Sequence, residues 1–564
     1  MNLEALLADR LTAAFAAVAG ETVDPVVRQS QHADFQSGAA LALARRLGRP
    51  PREVATEVAG RADLAGVAAV EVSGPGFLNL TVDDAVLTAA VDALDDDRLG
   101  VAPVAAPERI VIDYSGPNAA KELQVGHLRS TIIGDALARL LAWLGHDVLR
   151  RNHLGDWGTQ FGMLIEHMID LGGTDAEHSL GDLTDFYRAA RRKFDGDTEP
   201  SVRSRAVAGR SDGEDFKRRA RLRVVALQSG DELTRTLWRR LIEQTERTFL
   251  DAYGRLGVTL TMDDFVGESF YQDQLASVLA ELDAKGLLVA SEGALCVFPD
   301  GFAGRDGEPL PLIVRKSDGG FGYAATDLAA LRHRVRELGA TRLLYVVGAP
   351  QRTHFRMVFE VGRLAGWLPD GVTAEHIEFG SILGADGKMF KTRSGDNVRL
   401  ADLLDEACVR ATSPAVGVGA IKYADLSGDR RSDYVFDWDR MLAATGNTGP
   451  YLQYAYARIR SIFRQAGPAA TGPVVLGHPA ERRLALALLG FEPAVTAAAG
   501  LREPHRLASY LHDLAVAFTG FYETCPVLRA AGQTRASRLT LADRTARTLA
   551  LGLSLLGIDL PDEM

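Results

Sequence analysis

The residues best suited to chemistry sit in one short stretch, SGPNAAKELQVGHLRST at 115–131. It lies between an apolar run at 109–114 that reads as a strand and a run at 125–144 whose apolar residues recur at helical spacing. The first turn of such a helix offers free N–H groups and a positive dipole end, and both favour a phosphate. Gly126 lets a nucleotide approach the backbone closely, and His127 adds a side-chain donor. That combination predicts a nucleotide site. A second candidate is the basic stretch KMFKTRSG at 388–395, which on its own is a solvated loop and gains weight only from its place after a strand expected at 375–379.

These residues need elements to hold them. The strand at 109–114, the helix stopped by Gly145 and a strand at 147–149 form a βαβ unit, and a second one is expected from a strand at 342–347, a helix at 354–368 and the strand at 375–379. Between the halves lies a long insertion, about 155–310, expected to be mostly helical, with a polar loop at 196–213. Residues 1–105 read as a small α+β domain with two strands around the turn at 74–76. Beyond 400 the pattern is helical, including a helix at 481–498 kinked near Pro493.

The chain has 564 residues, 47% of them hydrophobic and 24% charged, which fits a globular protein of about three to five domains. Its start lacks the basic and unbroken apolar regions of a signal peptide, and no apolar run reaches the roughly 20 residues of a membrane span, so a soluble cytoplasmic protein with no membrane partner is expected. Cys296, Cys408 and Cys525 are odd in number and far apart, which argues against disulfides and a cysteine zinc site. The net charge of −11 does not exclude nucleic acid, because phosphate binding depends on local basic patches.

Residues 124–127 resemble the HIGH motif of class I aminoacyl-tRNA synthetases, and the surrounding stretch is similar to the arginine-specific family. The basic stretch resembles that family's KMSKS loop. The resemblance implies a multidomain α/β protein: an N-terminal α+β domain (1–105) that meets the tRNA elbow, a Rossmann-like catalytic domain (106–400) and a C-terminal all-α anticodon-binding domain (401–564). It implies an arginine–tRNA ligase that uses ATP with Mg²⁺, L-arginine and tRNA(Arg), holds no structural metal, often needs bound tRNA for activation, and acts as a monomer. By the same resemblance Lys121, Gln124, His127, Lys388 and Lys391 serve catalysis, and Gln124, Gly126, His127, His153 and Lys391 surround ATP.

A guanidinium calls for carboxylates and fixed acceptors, and Asp113, Asn118, Tyr323, Asp327 and Gln351 match positions that hold arginine in the family. Phe35 and Gln36, with Tyr451, Gln453 and Arg458, match positions that meet tRNA. The chain departs from the pattern in four places. Gln124 replaces a histidine, Asp113 stands where some relatives carry glutamate, 407–416 is short, and 196–213 looks inserted. The first and third motivate one rival, a paralogue that makes arginyl-adenylate or arginyl-tRNA for amide-bond formation in a specialised pathway, and a second rival is a catalytically silent tRNA-binding protein.

Overall fold

The computed structural model describes residues 2–119, 121–172, 183–196, 212–304, 306–390, 398–467 and 471–561. They divide into two compact units: 104–442 with 556–558, and 1–103 with 443–555 and 559–564.

The first unit is built on a four-stranded parallel sheet in the order Thr373–His376, Arg342–Tyr345, Arg109–Asp113, Asp147–Arg151. Arg109–Asp113 is buried at four of its five residues, as a central parallel strand covered on both faces must be. Each half returns through a helix, Val125–Trp143 or Arg352–Leu364. Val125–Trp143 lies close on its strand because Gly134 leaves the room: a Cβ there would stand 2.3 Å from Tyr114. On the other side, Tyr323–Arg336 contributes Leu328 and Leu331 to a core shared with Val111, Leu343 and Val358.

The insertion contains the helices Thr159–Asp170, Leu183–Asp195, Asp212–Ser229 and Glu232–Leu256 around Phe161, Leu164, Leu227 and Leu237. Most of the expected polar loop, 197–211, falls outside the described residues. The insertion is less helical than its sequence implied. Val289–Ser291, Ala294–Val297 and Leu312–Arg315 form an antiparallel sheet, turned first at Glu292 and Gly293, both at positive φ. Strands this short carry little periodicity, and a glutamate in a positive-φ turn position gives no sequence signal.

The helices Leu400–Arg410 and Pro414–Leu426, expected in the C-terminal domain, group with the catalytic unit. Arg129 on the helix Val125–Trp143 donates to Asp425 at 2.7 Å, and both side chains are almost wholly buried. Lys422 donates to the Leu256 carbonyl at 2.7 Å. Such pairs become costly to break once buried, which fixes the packing of both helices.

In the second unit, the N-terminal part has an antiparallel sheet in the order Val27–Gln29, Phe35–Ser37, Phe77–Val82, Ala68–Ser73. The helical part comprises Gly449–Ala466, Pro479–Leu488, Phe491–Leu501, His505–Thr524 and Gly532–Leu555. The kink expected near Pro493 is a break between Leu488 and Phe491, with Pro493 in the first turn of the second helix, where its missing N–H costs nothing. The stretch Pro479–Leu501 has the length and apolarity of a membrane span, but Leu484, Leu488 and Val495 are packed in the helical core.

Candidate active site

Two neighbouring strands, Arg109–Asp113 and Arg342–Tyr345, feed connections that leave the sheet in opposite directions. A crevice must open at their carboxyl ends, where α/β sheets place ligands. A cavity of about 750 Å³ occupies that place. Its lining brings together Asp113, Asn118, Gly126, His127, His153, Tyr323, Asp327 and Gln351, residues spread over 239 positions of sequence.

The chain leaves the first strand through a strained turn, with Ser115 at φ 72° and Gly116 at φ 54°. For serine this conformation carries a cost that the surroundings offset. The Ser115 N–H donates to Ser130 Oγ at 2.9 Å, its hydroxyl meets Tyr253 OH at 2.6 Å, and the Gly116 N–H donates to Asn152 Oδ1 at 2.9 Å. Asn118 pairs by its backbone with Gly155, where a Cβ would stand 2.3 Å from Asn118 Oδ1. That glycine makes the space Asn118 occupies.

At one end of the cavity the helix Val125–Trp143 begins. The Gln124 N–H donates to His127 Nδ1 at 3.1 Å, which leaves the imidazole proton on Nε2. Burial, with the nearby Lys121 charge as a lesser cause, lowers the His127 pKa to about 4. The ring is therefore a neutral donor at physiological pH. Neither packing nor backbone conformation requires glycine at 126, since a Cβ there would meet nothing within 4 Å. The space above it is open to a ligand.

The turn before this helix is paired with residues 398–400. The Val125 N–H donates to the Val398 carbonyl at 3.0 Å, and the Leu400 N–H donates to that of Leu123 at 2.8 Å. Gln124 sits opposite Arg399 in this pairing and does not line the cavity. Lys388 is exposed on a tight turn closed by the Gly384 N–H donating to its carbonyl, and Phe390 beyond it stacks on Phe436 at 4.6 Å. Lys391 lies outside the described residues. Lys121 does not line the cavity either; its ammonium stands over the Tyr187 ring.

The other end is acidic. Asp327 Oδ2 meets His354 Nε2 at 2.6 Å. Glu268, which no sequence pattern singled out, faces the same space, and burial, then the charges of Asp327 and Asp156, raises its pKa to about 8. Its turn is held from behind: Asp156 accepts the Ser269 N–H at 2.8 Å and its hydroxyl at 2.5 Å, while the Glu268 N–H donates to the Leu154 carbonyl. A pair of carboxylates, one kept protonated by burial and then by the charge of the other, is a site short of a cation.

Asp113 is not free to supply that charge. Its Oδ2 accepts Arg334 at 2.6 Å and its Oδ1 accepts the His153 N–H at 3.3 Å, so the chain's own guanidinium already matches it. His153 stacks on Tyr271 at 5.6 Å, and its buried Nδ1 has no hydrogen-bond partner among the described residues.

The residues expected to meet tRNA divide. Phe35 is only 4% exposed, so its ring belongs to the N-terminal core and is not presented for stacking. Gln36 donates to Asn79 Oδ1 at 2.7 Å across the sheet. Gln453 is fully buried and donates to the Asp559 carbonyl at 2.8 Å, so it reads no base edge. The Tyr451 hydroxyl meets Thr519 Oγ1 at 3.2 Å. Arg458 holds its guanidinium over the Tyr454 and Tyr522 rings at 4.7 and 5.2 Å. Both rings are about 40% exposed.

Three family models match the chain: the arginyl-tRNA synthetase N-terminal domain over 1–82, the catalytic domain of class I tRNA synthetases (R) over 91–438, and the DALR anticodon-binding domain over 452–564. The arginine–tRNA ligase of Thermobifida fusca is 52% identical over 590 residues, covering 100% of this chain and 99% of its own. That of Frankia casuarinae is 54% identical, covering 96% and 95%. Among solved structures, the arginyl-tRNA synthetase of Plasmodium falciparum has a TM-score of 0.84 at 27% identity, covering 100% of this chain and 99% of its own. That of Thermus thermophilus has a TM-score of 0.83 at 26% identity, covering 100% of both.

Proposed function

The chain belongs to the arginyl-tRNA synthetase family, and from that premise we propose that it ligates L-arginine to tRNA(Arg) through an arginyl-adenylate made from ATP in the cavity at the carboxyl ends of the sheet. The observation that carries this reading is the polarity of that one cavity, with neutral donors and an open glycine at one end and two facing carboxylates at the other. Asp327 and Glu268 take the guanidinium, with Tyr323 and Gln351 beside them, and Asn118 and His153 face the other groups of the amino acid. Asp113 acts through Arg334 and His153 rather than on the guanidinium.

In the first step an arginine carboxylate oxygen bonds to the α-phosphorus while the bond to pyrophosphate breaks, and the electron pair leaves with pyrophosphate. The His127 Nε2–H and the helix opening stabilise charge that develops on phosphate oxygens. Lys121, Lys388 and Lys391 supply positive charge toward the departing pyrophosphate, and Gln124 adds a neutral donor. In the second step the 2′-hydroxyl of the terminal tRNA ribose attacks the carbonyl of the mixed anhydride, and AMP leaves with the electron pair of the broken bond, its phosphate taking up the hydroxyl proton. Mg²⁺ would enter bound to ATP. It supplies charge neutralisation on the triphosphate.

The N-terminal α+β part (1–103) meets the tRNA elbow, the parallel-sheet unit (104–442) carries catalysis, and the helical part from 443 onward meets the anticodon. Arg458 between two half-exposed tyrosines supports the last assignment, because bases stack on aromatic and guanidinium faces. The protein acts as a cytoplasmic monomer. Arginine-dependent ATP–pyrophosphate exchange, with and without tRNA(Arg), together with charging of tRNA(Arg), tests the proposal. Exchange without charging would favour supply of activated arginine to another acceptor, and no exchange under either condition would leave a silent tRNA-binding protein.

A further inference from the structure

The loop that carries Lys121 into the helix Val125–Trp143 rests on the helical insertion. Ala119 is buried in the insertion's core, and its carbonyl accepts the Thr245 hydroxyl at 2.7 Å. The Lys121 N–H donates to the Asn118 carbonyl at 3.3 Å, and its side chain lies against the same helices. There its Nζ stands 4.4 Å from the centre of the Tyr187 ring, on the helix Leu183–Asp195. Tyr187 itself is partly buried against the insertion's core. Among the described residues Lys121 makes no ion pair.

The nature of this partner matters. A carboxylate would hold an ammonium by cancelling its charge, whereas a ring face holds it through a quadrupole and leaves the full positive charge available. A lysine meant to meet phosphate oxygens is better held in the second way. Lys121 also stands only four positions before Val125, where the helix opens.

We propose that Tyr187 is a positioning residue for Lys121: its ring keeps the uncancelled ammonium beside the helix opening, so that the inserted helices take part in pyrophosphate departure. The inference rests on the reading of Lys121 given above. Losing the ring leaves the lysine as a free surface chain that must be ordered anew in each turnover.

The test is ATP–pyrophosphate exchange in the presence of tRNA(Arg), with arginine affinity measured separately by calorimetry as a check on the fold. Tyr187→Phe keeps the ring and should exchange within about twofold of the parent. Tyr187→Leu should lower kcat about two- to thirtyfold, the range of a cation–π contact, with arginine affinity unchanged. In a Lys121→Met background Tyr187→Leu should have no further effect. A Tyr187→Leu enzyme that binds arginine and exchanges at the parent rate, or one whose defect persists beside Lys121→Met, overturns the inference. Parental exchange by Lys121→Met would instead overturn the role of Lys121 itself. If Tyr187→Leu fails to bind arginine, Tyr187→Met is put through the same cycle and read in the same way.

Discussion

Arginine binding should be coupled to loss of a proton from Glu268. In the empty site burial and Asp327 raise its pKa to about 8, and only the ionised form completes a carboxylate pair for the guanidinium. A carboxyl group with a raised pKa is protonated below that value, so affinity must rise with pH and level off above it. With the pKa at about 8, the ionised fraction is about 3% at pH 6.5, about 24% at pH 7.5 and about 76% at pH 8.5. If the protonated form contributes little, the dissociation constant for arginine falls roughly 25-fold from pH 6.5 to 8.5, and binding at pH 7.5 releases about 0.8 of a proton from this group. Calorimetric titration in buffers of different ionisation enthalpy reads both quantities. Arginine's own α-amino group titrates nearby, so Glu268→Gln is the necessary reference. It should bind about ten- to a hundredfold more weakly at pH 8.5, where a charged hydrogen bond is lost, and release less proton at pH 7.5. Equal proton release and equal pH slopes in the two proteins would refute the coupling.

Three further outcomes follow from the geometry. Gly155→Ala places a Cβ 2.3 Å from Asn118 Oδ1 and should raise the KM for arginine while leaving that for ATP nearly unchanged, as steady-state exchange kinetics will show. Asp425→Asn strips a fully buried Arg129 of its counter-charge and should cost about 3–5 kcal/mol of stability, read as an earlier denaturant midpoint. Gln124 is paired through its backbone with Arg399 and stands outside the cavity lining, so Gln124→Ala should fold normally and slow activation by less than the roughly 10²–10³ expected for loss of a main transition-state donor, and Gln124→His should restore or exceed the parental rate.

What could be read ahead of the structure was local. The unit from Arg109 to Arg151 announces itself through an apolar strand, helical periodicity and a terminating glycine, and the cavity forms where that unit predicts it. Pairings across long separations are silent in a single sequence. Arg334 lies 221 positions from the Asp113 it neutralises, and nothing in either neighbourhood reveals the match. Glu268 sits in a short 3-10 turn whose meaning depends on Asp156, which supports the turn, and on Asp327 across the cavity. The burial of Gln453 is legible in its helix. Its neighbours one turn away on the helix, Gly449 and Ala457, are small and buried, and a polar residue between two such positions faces inward. Phe35 likewise alternates with Gln36 on a strand whose apolar side must face the core.

The most direct test is a crystal structure with a non-hydrolysable arginyl-adenylate analogue. The guanidinium should lie between Asp327 and Glu268, with the phosphate mimic within hydrogen-bond distance of His127 Nε2 and the adenosine passing over Gly126. An analogue bound elsewhere, or in this cavity with its guanidinium on Asp113 and Arg334 displaced, would contradict the account.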